Sequence, residues 1–114
     1  MTHINELSHT ADKDGENLRV MHAELSDRSD TIASIDLHGL TKDEATTELE
    51  RFLSHQIFTG ASCCRIVHGK GKGILERAVK KEIEKLTQRR KVQTSFPSER
   101  YPNAAIVIVF PAAE

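Results

Sequence analysis

Apolar residues along this chain follow two periods, and the points where one gives way to the other mark the elements. From Thr31 the run Thr-Ile-Ala-Ser-Ile-Asp-Leu-His-Gly alternates, with Ile35 and Leu37 on one side, Asp36 and His38 on the other, and Gly39 ending it. That is the pattern of a half-buried strand. The period then lengthens. Ala45, Leu49, Phe52, Leu53 and Ile57 share one helical face, and Gly60 stops the helix. Its start is equally marked: Thr41 stands three residues before Glu44 as a capping box, and Leu40 can staple onto Ala45.

Cys63 to Val67 forms a second apolar strand that runs straight into His68-Gly69-Lys70-Gly71-Lys72-Gly73. Beyond the glycines, Leu75, Ala78, Val79, Ile83 and Leu86 lay down a second helical stripe, with Arg77, Lys80, Lys81, Lys85 and Arg89 over the remaining surface. Val92, Thr94 and Phe96 alternate as a third strand. Pro97 to Asn103 is a loop, and Ala104 to Phe110 is an apolar strand stopped by Pro111. The order βαβαββ requires right-handed crossovers between parallel strands, and two helices cover only one face of a four-stranded sheet. A two-layer α/β sandwich with a mixed sheet is expected over residues 31–114.

Residues 1–30 read differently. They are polar and acidic, and form an arm that is partly disordered or a short packed helix. Its one helical signal runs from Glu16 to Leu25, where Leu18, Met21 and Leu25 form an apolar stripe.

The chain of 114 residues carries a net charge of only −1, but the charges are segregated. Met1–Ala33 is −4, Ser34–Cys64 is −3, and Arg65–Lys91 holds ten basic against three acidic residues, +7. Such asymmetry points to an anionic partner. With no Trp and one tyrosine, Tyr101, recognition of single strands chiefly by base stacking is disfavoured, which leaves phosphate contacts and shape. Cys63 and Cys64 are adjacent, so a bridge between them would close no useful loop; they read as small buried apolar residues. No apolar run has the length of a signal peptide or a membrane span, and the expectation is a cytoplasmic protein with no membrane partner.

Candidate chemistry sits where strands end, since the loops after the carboxyl ends of parallel strands converge on one edge. Asp36 and His38, two apart on a strand, reach the same side. His68 opens the glycine-rich loop at the neighbouring strand end. A carboxylate, an imidazole and nearby lysines are the groups phosphodiester cleavage needs: one orients, one moves a proton, the others stabilise phosphoryl oxygens. Asp36 is also a candidate contact for a divalent metal, magnesium or manganese, although no cofactor is demanded. The bland alternative makes Asp36 an acceptor for the turn at His38 and Gly39, or a partner of Arg65. Gly69, Lys70, Gly71, Lys72 and Gly73, opening a helix, suit an anion, and Arg77, Lys80 and Lys81 extend the basic surface. Arg100 and Tyr101 are further candidate contacts.

Ile-Asp-Leu-His-Gly at 35–39, followed by Arg-Ile-Val-His-Gly-Lys-Gly-Lys-Gly at 65–73 and Ile-Leu-Glu-Arg-Ala-Val, resembles the Smr (small MutS-related) domain over about residues 33–110. That domain also occurs at the C-terminus of MutS2 proteins and as stand-alone bacterial proteins. The resemblance implies a fold like the C-terminal domain of translation initiation factor 3. It also implies nucleic-acid binding, with nicking or endoribonuclease activity in some members; the partner expected is DNA or RNA of branched or structured form. Asp36 and His38 fall on the Asp-Leu-His motif, and His68, Gly69, Gly71 and Gly73 on the nucleic-acid loop. Where relatives often have a glycine-containing turn before the last strand, this chain has Tyr101-Pro102-Asn103-Ala104.

The expected function is therefore nucleic-acid binding with endonuclease activity. A binding module without catalysis, and a protein-interaction domain regulated by its acidic arm, are the alternatives.

Overall fold

The computed structural model describes the backbone of residues 2–112 and the side chains of residues 15–112. Seven elements follow in order: α1 (Thr2–Ser29), β1 (Ser34–Asp36), α2 (Lys42–Thr59), β2 (Cys63–Val67), α3 (Ile74–Gln88), β3 (Thr94–Pro97) and β4 (Ala105–Val109). The strands form one mixed sheet in the order β1-β2-β4-β3. β1 and β2 are parallel, with Asp36 opposite Val67, and β4 runs antiparallel to both β2 and β3. Parallel pairing of β1 with β2 places the ends of both strands, and the loops that follow them, side by side.

Alternation sends successive β2 residues to opposite layers. Cys64 and Ile66 join Leu49 and Leu53 of α2, Val79 and Ile83 of α3, and Ile106 and Ile108 of β4 in the main core. Cutting Leu49 or Leu53 back to alanine there would cost about 2–5 kcal/mol. The capping box holds as read: Thr41 Oγ1 accepts the Glu44 N–H and Glu44 accepts the Thr41 N–H, while Gly60 closes the helix in a left-handed conformation.

The opposite face is not bare. Cys63, Val107 and Val109 pack against Ala23 and Val20 of α1 and against Ile32 and Phe96, so α1 adds a partial third layer to the sheet and its two helices. This overturns the stripe expected on that helix. Leu18, Met21 and Leu25 are 56–62 % exposed, and the helix instead buries the face carrying Ala23, Ser26 and Asp27. Two polar residues on the packing face hide it from an apolar-period search. Among the described residues, no helix is long and apolar enough to cross a membrane.

Candidate nucleic-acid interface

Asp36 is the last residue of β1, and the chain turns immediately after it. Its Oδ1 accepts both the backbone N–H of His38 at 3.0 Å and the ring Nδ1 at 2.6 Å. A carboxylate only accepts, so Nδ1 carries the proton and Nε2 is left as an acceptor on a ring whose side chain is 70 % exposed. Burial opposes the charge on Asp36, but the two hydrogen bonds from His38 outweigh it and hold the carboxyl below the ordinary carboxylate range. Asp36 therefore fixes the tautomer and direction of the imidazole. The turn contact anticipated for Asp36 is present. The alternative pairing with Arg65 is not: Arg65 shares that face of the sheet, but its guanidinium is taken by Asp27 and Asp30.

On the adjacent strand end, His68 is 5 % exposed and its Nδ1 donates to the carbonyl of Gly69 at 2.7 Å. The backbone N–H groups of His68 and Gly69 both go to the carbonyl of Ala104, at 2.8 and 3.0 Å. His68 thus braces the start of the loop, and the Gly69 amide, expected at the ligand, is already spent. Gly69 has φ +85°, and a β-carbon there would lie 3.0 Å from the β-carbon of His38. Only a residue without a side chain lets the two loops approach this closely. Together His38, Thr41, Lys42, His68 and the loop from Gly69 to Gly73 line a cleft of 470 Å³. Lys70 and Lys72 project from its rim, exposed.

α3 begins without a side-chain cap. Gly73, at φ +86°, is its N-cap, and no side chain bonds the first-turn amides. These donors and the helix dipole face the cleft, the arrangement that favours an anion. The Arg77 guanidinium lies against Gly73, 3.0 Å from where a β-carbon would stand. From the cleft a groove continues between α2 and α3, sharing Lys42 and Ile74 with it and lined by Arg77 and Lys81, with Lys85 paired to Glu82 at 3.2 Å and Glu84 beside them. Neither Lys42 nor Lys85 was among the contacts expected from the sequence. Lys42 lies on the first turn after the cap and Lys85 one turn beyond Lys81, spacings that a helical-face count of charges would have caught.

Lys80 does not join this surface. It pairs with Glu76 at 2.9 Å and faces the groove between α3 and β3. Arg100 lies on the β3–β4 loop, where it stacks 5.7 Å from the Tyr101 ring, outside the cleft. In that loop Asn103 adopts φ +62°, the conformation a glycine would otherwise supply, and asparagine tolerates it. The departure from a glycine-containing turn therefore leaves the turn intact. His3 and His9 lie outside the described side chains.

Magnesium or manganese at Asp36 would meet one carboxylate whose Oδ1 already accepts two hydrogen bonds. Among the described residues no three His, Cys, Asp or Glu side chains converge on a point. The residues do not fit a metal held by protein ligands alone.

Residues 35–110 match the Smr domain family. The chain belongs to that family. Among its relatives, endonuclease MutS2 of Staphylococcus carnosus is 32% identical over 74 residues, 65% of this chain and 10% of the relative. Endonuclease MutS2 of Symbiobacterium thermophilum is 38% identical over 60 residues, 53% of this chain and 7% of the relative. This Smr chain thus spans about a tenth or less of the MutS2 proteins it matches. The crystal structure of the Smr domain of Thermus thermophilus MutS2 superposes with a TM-score of 0.61 at 28% identity, covering 70% of this chain and 99% of that one. The Smr match begins at Ile35, so α1 precedes it.

Proposed function

We propose that this Smr domain binds structured DNA or RNA through its phosphates and hydrolyses a phosphodiester at His38. One observation carries the reading: the Asp36–His38 pair and the Gly69–Gly73 loop with its two lysines open on the same edge, packed so closely that a β-carbon on Gly69 would lie 3.0 Å from that of His38. The name endonuclease, borne by the MutS2 relatives, agrees with this chemistry.

A phosphate seated at the start of α3 meets the uncapped amides and Lys70 and Lys72. His38 Nε2 removes a proton from the attacking water, Asp36 stabilises the imidazolium, and the proton passes to the leaving oxygen as the P–O bond breaks. His68 keeps the loop in place. The strand flanking the scissile phosphate follows the groove of Lys42, Arg77 and Lys81. Charge of this kind positions a backbone without reading bases, so shape sets the preference.

Supercoiled plasmid and a structured RNA, incubated with the wild type, Asp36→Asn and His38→Ala, with and without Mg²⁺ or Mn²⁺, test the proposal. Cleavage by the wild type that both variants lose is the expected result. Equal cleavage by all three overturns the catalytic part. Binding by all three with no cleavage leaves a binding module, the reading favoured if the Asp36 contact serves only the turn.

A further inference from the structure

Besides its apolar contacts, the end of α1 is tied to the domain by a buried carboxylate. Asp27 is 1 % exposed, yet both its oxygens are engaged: Oδ1 accepts from Arg65 Nη1 at 3.0 Å and Ser98 Oγ at 2.9 Å, Oδ2 from the N–H of Glu99 at 2.9 Å and of Arg100 at 3.3 Å. Arg65, itself 3 % exposed, also binds Asp30 and lies 4.6 Å from the Tyr101 ring. One helical side chain thus ties down three consecutive residues at the start of the β3–β4 loop.

The bonds continue toward the cleft. Ser98 Oγ accepts the Tyr101 N–H at 3.0 Å, and the Tyr101 carbonyl accepts the Ala104 N–H at 3.1 Å. The Ala104 carbonyl in turn accepts the amides of His68 and Gly69, the first residues of the glycine-rich loop. An unbroken run of hydrogen bonds leads from the end of α1 to the wall of the cleft, through residues far apart in sequence.

We propose that Asp27 is a positioning residue of the nucleic-acid cleft: by fixing Ser98–Tyr101 it holds the Ala104 carbonyl, and through it the His68–Gly69 segment, in place. The segment before the Smr match is then a structural part of the site and not a tether. The inference takes the purpose of the cleft from the function proposed above, but the positioning itself does not depend on it. A buried carboxylate satisfied by four donors is rigid, whereas a loop held by main-chain bonds alone opens readily. Removing α1 would therefore loosen the cleft, the opposite of what an arm masking the basic surface predicts.

Ser98→Ala is the cleanest probe, because it breaks the relay while leaving the Asp27–Arg65 pair; Asp27→Asn is the second, and Ser98→Thr should restore the wild-type behaviour. Amide hydrogen exchange by NMR is the readout. Exchange at His68 and Gly69 should accelerate at least tenfold in Ser98→Ala with Leu49 and Leu53 of α2 unchanged, and in Asp27→Asn, which also lowers global stability, by more than at Leu49 and Leu53. Affinity for a structured RNA should fall several-fold with an unaltered salt slope, since no cation is removed. Exchange at His68 and Gly69 equal to wild type, or accelerated no more than at Leu49 and Leu53, overturns the proposal. If the exchange result holds while the wild type binds no nucleic acid, the positioning stands and the proposed function falls.

Discussion

Gly69 and His38 are packed tightly: a β-carbon on residue 69 would stand 3.0 Å from that of His38, so His38 would have to give way by a few tenths of an ångström. The cleft is therefore closed by an approach of two loops, each anchored in a different strand. Gly69→Ala should cost about 1–2 kcal/mol for the left-handed backbone alone, and more for the crowding against His38. The displaced group is His38, so cleavage should drop further than thermal stability would suggest. Parallel measurement of melting temperature and plasmid nicking checks this; loss of both in proportion would show that only the fold had suffered.

Lys70 and Lys72 stand at the open start of α3 as point charges. Replacing both with alanine should lower affinity and reduce the slope of log K against log salt by about 2, one for each phosphate no longer neutralised. Titrations at several salt concentrations give the slope. Lys80→Ala, facing the other groove and paired with Glu76, should leave it unchanged.

Asp36→Asn keeps the shape of the side chain and removes its charge. With Asp36 no longer orienting and stabilising the imidazolium, cleavage should fall about 10²–10⁴-fold, the usual share of general acid–base catalysis. Binding should change little. Single-turnover cleavage at saturating protein separates the two effects.

The pH dependence of stability should reveal Asp27. Burial disfavours its charge, yet Arg65, Ser98 and the amides of Arg100 and Glu99 together pull the carboxyl below its ordinary value of 3.8. A carboxyl lowered on folding stabilises the native state above its unfolded value and ceases to do so as pH falls through the folded one. Wild type should exceed Asp27→Asn by about 3–5 kcal/mol near neutrality, the cost of breaking a buried pair. The gap should narrow as the pH is taken below about 4. Urea denaturation at stepped pH measures it, and a constant gap would refute the assignment.

The candidate catalytic side of this molecule was legible because its signals are local. Asp36 and His38 lie two residues apart at the end of β1, the glycines are consecutive with the helix they open, and the cap of α2 is spelled within Thr41–Glu44. The support was not legible. Arg65 meets Asp27 across 38 positions and Ser98 meets it across 71, and no spacing rule connects them. The same burial misdirected the reading of α1. Apolar periodicity selected Leu18, Met21 and Leu25, whereas an ion pair decides which side of the helix faces inward, and the large apolar side chains are left outside.

Adjacent cysteines on β2 carry a use that neither has as a chemical group in the site. Cys63 lies beneath α1 and Cys64 in the main core, and burial pushes both thiols up, so neither should react readily with alkylating or oxidising reagents in the intact fold. Their barriers differ. Lifting α1 alone would uncover Cys63, while Cys64 would wait for the core to open. Two neighbouring sulfurs thus serve as a built-in pair of clocks, timing the departure of the N-terminal helix separately from the unfolding of the domain beneath it.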